Sequence, residues 1–238
     1  MKTTRVHILL GLVLCLSGPA FSGTVVLELF TSQGCSSCPP ADALLARLSK
    51  ESDVLALSFH VDYWDYLGWK DPYAHPDHAQ RQRRYAQKLG DGVYTPQLIV
   101  HGQQSLVGSR ESEVRRAIAA VPKKEPQVAL RIFDLSWGED GVAFRYSLEG
   151  DPGGYVVHSA LVAGGRQNTV PAGENRGRRL SHANVVLAFQ TTAASHEGSS
   201  RLTLDAGKDK GQFQLVVYVQ NQGTLAIEDA VRVLPSGP

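Results

Sequence analysis

Two cysteines separated by two serines are the residues of this chain best suited to chemistry. Cys35 and Cys38 follow an apolar run at residues 25–30 and precede a helical pattern at residues 39–50. Unpaired backbone N–H groups and the helix dipole favour a thiolate at a helix N-terminus. A second cysteine one turn later can close a disulfide with the first. The spacing predicts a thiol–disulfide site, with Cys35 as the more exposed nucleophile and Cys38 as the resolving cysteine.

The small number of cysteines favours redox chemistry over a structural crosslink. Of the three in the chain, Cys15 lies in a segment predicted to be removed, so Cys35 and Cys38 are the two of the mature protein. A structural disulfide is the alternative, since exported proteins often carry them. A four-residue loop constrains the unfolded chain little, however, which makes stabilisation a weak reason for this bond.

The first 22 residues have the pattern of a secretory signal peptide. Lys2 and Arg5 precede an apolar stretch at 8–16, which is too short to span a bilayer, and small residues follow at the expected cleavage position. A lipoprotein signal ending at Cys15 is disfavoured because the bulky Leu14 precedes this cysteine. The pattern predicts a periplasmic or secreted protein that begins at residue 23.

The charge balance argues against two classes of partner. Without Lys2 and Arg5 the chain carries 22 Lys and Arg residues against 23 Asp and Glu residues, so its net charge is close to zero. Such a chain has no general attraction to nucleic acid. No apolar stretch after the signal is long enough to span a bilayer, so stable membrane insertion is not expected.

The order of predicted elements in residues 23–121 is β-α-β-α-β-β-α, which is that of a thioredoxin fold. The first helix has Ala41, Leu44, Leu45 and Leu48 on one face. The apolar run at 54–59 is typical of a strand buried on both faces. The remaining elements are a polar helix near 77–89, strands at 97–101 and 104–107, and a helix near 114–121.

Beyond a proline-containing linker at 122–126, the periodicity of the sequence changes from helical to extended. Residues 127–238 contain seven predicted strands, punctuated by turns rich in glycine and aspartate. Short strands with regular turns and no convincing helix predict an all-β, sandwich-like second domain. The predicted strands are 127–135, 141–149, 155–163, 185–191, 200–205, 213–220 and 225–234.

Thr95 and Pro96 form the second element of the predicted site. They lie between the second helix and the strand at 97–101, where thioredoxin-like enzymes place a cis-proline against the cysteine pair. A cis bond there would expose the backbone of Thr95, which could pair with an extended substrate. The alternative is an ordinary trans proline that opens a strand.

Glu28 is unusual because it interrupts an apolar strand. Burial would raise the pKa of its carboxyl group and suit it to accept a proton from Cys38. The alternative is a residue at the strand end that reaches solvent. Buried, it would be a catalytic residue beside the cysteine pair.

Two further groups of residues have open interpretations. The loop at 60–78 contains five aromatic residues and three histidines, which either form a wall beside the cysteines or simply pack the loop. Arginines at 166, 176, 178 and 179 either dock onto the first domain, bind an anion, or belong to a solvated loop. A copper or zinc site formed by the cysteines and a histidine is a weaker alternative, and no metal ligand is assigned.

The run from Glu28 to Asp42, with its sequence ELFTSQGCSSCPPAD, resembles the signature of the DUF1223 family of exported bacterial proteins with a thioredoxin-like domain. The segments at 61–65, 94–97 and 173–178 resemble it too. The resemblance covers nearly the whole mature chain. It implies the fold, the cysteine pair and Pro96, but it implies no substrate.

These observations predict an exported thiol–disulfide oxidoreductase that exchanges disulfides with protein partners and needs no cofactor. The direction of exchange does not follow from the sequence, because the potential depends on the stability of both redox forms. The alternatives are a non-catalytic protein that binds or delivers copper or zinc, and a protein-interaction module in which the β-domain does the binding.

Overall fold

The computed structural model describes residues 23–138, 140–204 and 213–235, so the predicted signal peptide lies outside the described residues. The protein is a mixed α/β structure made mostly of strands. Its helices are α1 (Pro39–Leu48), α2 (Pro76–Leu89) and α3 (Glu111–Ala120), with a 3-10 turn at Asp65–Leu67. Its strands are β1 (Val25–Thr31), β2 (Val54–His60), β3 (Gln97–Val100), β4 (Gln104–Val107), β5 (Ala129–Gly138), β6 (Gly141–Glu149), β7 (Tyr155–Ala163), β8 (Arg166–Thr169), β9 (Arg179–His182), β10 (Val185–Ala193), β11 (Glu197–Thr203), β12 (Phe213–Asn221) and β13 (Ile227–Val233).

The first half of the chain has the predicted order of elements. β1 is the central strand here, pairing in parallel with β2 and antiparallel with β3, which in turn pairs with β4. Every residue of β1 and β2 is buried, because helices cover both faces of the sheet. Alternate residues of β1 face opposite ways: Leu27 and Leu29 pack with α1 and α3, while Val26 and Phe30 pack with α2.

Local sequence explains where the helices that flank the site begin. Pro39 and Pro40 occupy the first turn of α1, where a missing N–H costs nothing. α2 begins after His75, whose Nδ1 accepts a hydrogen bond from the backbone of Asp77, and ends at Gly90 in the left-handed conformation.

The second half of the chain extends the same sheet. One eight-stranded sheet has the order β13-β12-β7-β10-β2-β1-β3-β4. The junction between the halves is short: Val185 of β10 pairs with Ser58 of β2, and the backbone N–H of Ser58 donates to the carbonyl of Asn184. The boundary at 122–126 therefore separates two regions of sequence that share a sheet, and the division into two domains stays a prediction.

A second layer covers one face of the added strands. β5, β6 and β11 form a three-stranded sheet, and its apolar residues pack with Leu161 of β7 and Leu215 of β12. The opposite face of β7 and β12, including Val216 and Tyr218, joins the core around α2. All seven strands predicted for this half are present: β6 and β7 have the predicted bounds, and the other five have shifted ends. The structure adds a hairpin, β8–β9, within a stretch predicted as a loop.

Candidate functional site

Cys35 and Cys38 form the predicted disulfide at the start of α1. Their Cα atoms are 5.5 Å apart, and Cys38 occupies the N-cap position of the helix. Cys35 exposes 1% of its surface and Cys38 exposes none. The predicted difference in exposure between the two cysteines is therefore very small, because both are almost completely buried.

The loop that joins β8 to β9 covers the cysteine pair. The side-chain amide of Asn175 donates to the carbonyls of Gln33 (3.0 Å) and Cys35 (2.8 Å), and the backbone N–H of Ser36 donates to the carboxylate of Glu174 (2.9 Å). The hydrogen bonds from Ser36 lower the pKa of Glu174. We call residues 170–178 the covering loop, because its hydrogen bonds hold it on the backbone of residues 33–36, which include Cys35.

Thr95 and Pro96 lie beside the cysteine pair, and the bond between them is cis, as predicted. The hydroxyl of Ser37 is 3.4 Å from the sulfur of Cys35 and donates to the carbonyl of Thr95, also at 3.4 Å. The side chain of Thr95 is held by the indole N–H of Trp64, 2.8 Å from its hydroxyl. The predicted substrate-binding residues and the disulfide thus belong to one site.

Glu28 is fully buried, as expected, but the structure does not place it beside Cys38. Its side chain leaves β1 on the α2 face, whereas α1 lies on the opposite face. Both carboxylate oxygens accept hydrogen bonds from the guanidinium of Arg81, at 2.6 and 2.8 Å. The hydroxyls of Tyr85 and Tyr218 donate to the same carboxylate. These contacts correct the predicted role: Glu28 forms a buried ion pair with Arg81 on the far side of the sheet.

The aromatic loop at 60–78 packs against the segment that leads to the cysteines. The indole N–H of Trp69 donates to the side chain of Gln33 at 3.0 Å. Gly34 leaves no space for a side chain, since a Cβ atom there would lie 2.9 Å from Cβ of Trp64. Tyr66, in contrast, is 78% exposed. The loop therefore mostly has the packing role that was one of its two interpretations.

A group of buried titratable residues lies behind the cysteine pair, and the sequence analysis did not assign it a role. We call Asp42, His60, Asp71 and His182 the His–Asp cluster. Nδ1 of His60 is 2.7 Å from Asp71, and the rings of His60 and His182 meet edge to face with centroids 4.6 Å apart. Nδ1 of His182 is 3.4 Å from the carboxylate of Asp42. α1, β2, β9 and the aromatic loop each supply one member.

Electrostatic contacts inside the cluster oppose the cost of burial. Burial lowers the pKa of His60, but the adjacent Asp71 carboxylate outweighs this effect and raises it. Burial raises the pKa of Asp71, but the contact with His60 and the backbone N–H groups of Gln33 and Tyr73 outweigh it and lower the pKa. Both effects favour a charged His60–Asp71 pair. Within the described ranges, there is no group of at least three His, Cys, Asp or Glu side chains that could hold a metal ion.

Comparison with known proteins places the chain in a family. The profile described as "Protein of unknown function (DUF1223)" matches residues 26–220. The chain belongs to the DUF1223 family. No curated protein matches this DUF1223 protein.

Solved structures similar to this DUF1223 protein include one from Agrobacterium tumefaciens and one from Porphyromonas gingivalis. The crystal structure of protein AGR_C_4864 from Agrobacterium tumefaciens is 29% identical, with a TM-score of 0.68, and the match covers 90% of this chain and 95% of that one. HBP35 of Porphyromonas gingivalis is 16% identical, with a TM-score of 0.58, and the match covers 91% of this chain and 76% of that one. The second similarity shows a shared fold alone.

Two signals in the sequence of this DUF1223 protein could have revealed the missed residues. Asp42 follows Cys38 by four positions, which places both on one face of α1. Glu174 and Asn175 lie in a motif that the family resemblance had already marked. His60 and His182 offered no comparable signal, because 122 positions of sequence separate them and only the fold brings them together.

Proposed function

We propose that this protein is an exported thiol–disulfide oxidoreductase that exchanges disulfides with protein partners through Cys35 and Cys38. The observation that carries the proposal is the disulfide at the N-terminus of α1, with the carbonyl of Thr95 within reach of the same turn. A helix N-terminus stabilises the thiolate that exchange requires. Protein thiols and disulfides are the proposed partners, and no cofactor is needed for the exchange itself.

We further infer that residues 23–121 form a thioredoxin-like domain. In support, the strand order β2-β1-β3-β4 with β3 antiparallel to β1, the placement of α1 and α3 on one face and α2 on the other, and the position of Pro96 all agree with that fold. Export to the periplasm or the medium is proposed from the sequence of residues 1–22. In the described part of the chain, no helix has the length and apolar character needed to cross a bilayer.

Access to the disulfide requires a movement, because the sulfur atoms are covered. A partner thiolate must approach along the axis of the S–S bond. Both cysteines are buried, and the covering loop is hydrogen-bonded to the backbone of Cys35. We propose that the loop moves aside before Cys35 reacts. A protein partner that replaced the hydrogen bonds of Asn175 and Glu174 would compensate for the opening.

Trapping of mixed disulfides tests the proposed exchange. The Cys38→Ser variant, expressed with its signal in an exporting host, should accumulate complexes through Cys35 that separate under reducing conditions. Cys35→Ser is the matched control and should accumulate none. Complexes from Cys35→Ser alone would reverse the assignment of the two cysteines. If neither variant forms complexes in a host that contains the partner proteins, exchange through this cysteine pair is contradicted.

A further inference from the structure

Asp42 is a buried acid placed one helical turn after the resolving cysteine. Its backbone N–H donates to the carbonyl of Cys38 at 3.1 Å, and both side chains are on the same face of α1. The residue is 3% exposed, and its Oδ1 atom has no hydrogen-bond partner among the described residues. A buried carboxylate oxygen left without a donor is costly, so it calls for an explanation.

His182 connects Asp42 to the rest of the His–Asp cluster. Its Nδ1 atom is 3.4 Å from Oδ2 of Asp42, which suits an ion pair, although the direction does not complete a hydrogen bond. Its Nε2 atom is 3.3 Å from the side-chain amide of Gln33. The charged groups near Asp42 and His182 include the other two members of the cluster, His60 and Asp71. They also include Asp65, which accepts a hydrogen bond from the backbone of Asp71, and Arg166, which lies opposite His182 in the β8–β9 hairpin.

We infer that Asp42 and His182 form an acid–base pair that accepts the proton of Cys38 when this cysteine attacks a mixed disulfide at Cys35. The inference rests on the proposed exchange function and adds the proton acceptor that Glu28 does not provide. It also gives the β8–β9 hairpin a chemical role, because β9 supplies His182 to a site otherwise built from the first half of the chain.

The proposed step balances as follows in atoms and electrons. The sulfur of Cys38 attacks the sulfur of Cys35, so the Cys35–Cys38 bond forms and the bond from Cys35 to the partner breaks. The partner sulfur leaves with the bonding electron pair, and the proton of Cys38 moves to the carboxylate of Asp42, which lies beside His182. The cysteine pair is oxidised by two electrons and the partner disulfide is reduced. In the opposite direction, the same pair returns the proton to Cys38.

Stopped-flow kinetics with a chromogenic aryl disulfide separate this step from the first attack. Reduced protein should release one aryl thiolate when Cys35 reacts and a second when Cys38 displaces it. Asp42→Asn should slow the second release roughly a hundredfold and leave the first unchanged, as expected for loss of a general base. His182→Gln should slow the same release less. Asp53→Asn, which alters an exposed carboxylate at the surface, is the control and should change neither.

The pH profile distinguishes proton transfer from a structural effect. With Asp42 as acceptor, the wild-type second release should depend weakly on pH between about 6 and 8. In Asp42→Asn it should rise about tenfold per pH unit up to the ordinary thiol pKa of about 8.5, since solvent must then remove the proton. Equal slowing of both releases in Asp42→Asn would overturn the inference. So would a tenfold rise per pH unit in the second release of the wild type, and this measurement needs no variant. Absence of the second release from wild-type protein would instead count against the proposed function.

Discussion

At the scale of single residues, the Glu28–Arg81 pair shows how a strand buried on both faces accommodates a charge. Arg81 is surrounded by the rings of Phe59, Tyr85 and Phe189, and its guanidinium donates to both oxygens of Glu28. Burial lowers the pKa of Arg81, but the charge of Glu28 and the hydroxyl groups of Tyr218 and Tyr85 outweigh this effect and raise it. A buried pair of this kind adds little net stability compared with apolar residues, but each charge depends on the other.

Removal of Arg81 alone should therefore be strongly destabilising. Arg81→Leu leaves the Glu28 carboxylate buried without its counter-ion, and we expect the free energy of unfolding to fall by about 3–5 kcal/mol. Arg83→Leu, two positions along α2 and exposed, should change it by less than about 0.5 kcal/mol. Urea unfolding of both variants measures the difference. If the two variants lose the same small amount of free energy of unfolding, the buried carboxylate of Glu28 does not depend on Arg81 as its counter-ion.

His78 makes the stability of the fold depend on pH. Burial lowers its pKa to about 3, while a hydrogen bond with the carbonyl of His60 partly opposes this. The folded state keeps His78 neutral where the unfolded chain, with a pKa of about 6.5, takes up a proton. The contribution of His78 to the free energy of unfolding is therefore fully present above about pH 6.5 and is lost as the pH drops towards 3.

His78→Gln should reduce this pH dependence. Between about pH 6 and 4, the wild type should lose about 1.4 kcal/mol per pH unit more than the variant, because one proton is bound on unfolding. Urea midpoints at several pH values give the two slopes. His75→Gln, an exposed residue of the same helix start, is the control and should keep the wild-type slope. Parallel slopes for His78→Gln and wild type would contradict the assignment.

At the scale of elements, the proposed opening of the site depends on the β8–β9 hairpin. Its strands are only four residues each, and it pairs with no other strand in the described structure. The covering loop between them is held on the cysteine segment by hydrogen bonds from Asn175 and to Glu174. Because it shares no strand pairing with the larger sheets, this hairpin should open more readily than they do, although Val170 and Leu180 are buried.

Asn175→Ala should make the disulfide more accessible. The variant loses two hydrogen bonds from a fully buried amide, worth about 1–3 kcal/mol together, which shifts the opening equilibrium roughly tenfold or more. We expect reduction by a small dithiol to accelerate by that factor, measured from the change in tryptophan fluorescence. Gln167→Ala, on the exposed side of the same hairpin, should leave the rate unchanged. An unaltered rate in Asn175→Ala would mean that the loop does not limit access.

At the scale of the whole molecule, the two halves of the chain share a core. Residues of β1, β2 and α2 form one apolar cluster with Val216 and Tyr218 of β12 and Ile227 of β13. Tyr218 also donates to Glu28 across the same cluster. Separation of the halves would expose this apolar surface and leave the ion pair without part of its hydrogen-bond shell. The halves should therefore be stable only together.

The full chain should consequently unfold in a single transition. Its tryptophans report on the two halves separately, since Trp64 and Trp69 lie near the disulfide and Trp137 lies in β5. The Trp137→Phe variant reports on the first half, and the double variant Trp64→Phe, Trp69→Phe reports on the second. The substitutions can themselves change stability, so the fluorescence midpoint of each variant is compared with the midpoint that circular dichroism gives for the same variant. After this correction, the urea midpoints of the two halves should coincide. If the two fluorescence midpoints differ, and both fall within the range of urea over which the wild-type dichroism changes, the two halves unfold independently.

The sequence by itself determined the cysteine pair, the order of elements in the first half, the seven strands predicted in the second and the family. These features depend on contacts between neighbours in the chain: the period of apolar residues, the prolines that begin α1 and the two-residue spacer between the cysteines. Such signals are readable because each is confined to a few consecutive positions.

Only the tertiary structure decided the partner of Glu28, the cover over Cys35 and the His–Asp cluster. Glu28 and Arg81 are 53 positions apart, Cys35 and Asn175 are 140 apart, and nothing in the local pattern indicates either contact. The face on which a strand residue emerges and the element that packs there depend on how the whole sheet is assembled. A buried polar group takes whichever partner the fold brings within hydrogen-bond distance, because it cannot remain unpaired without cost.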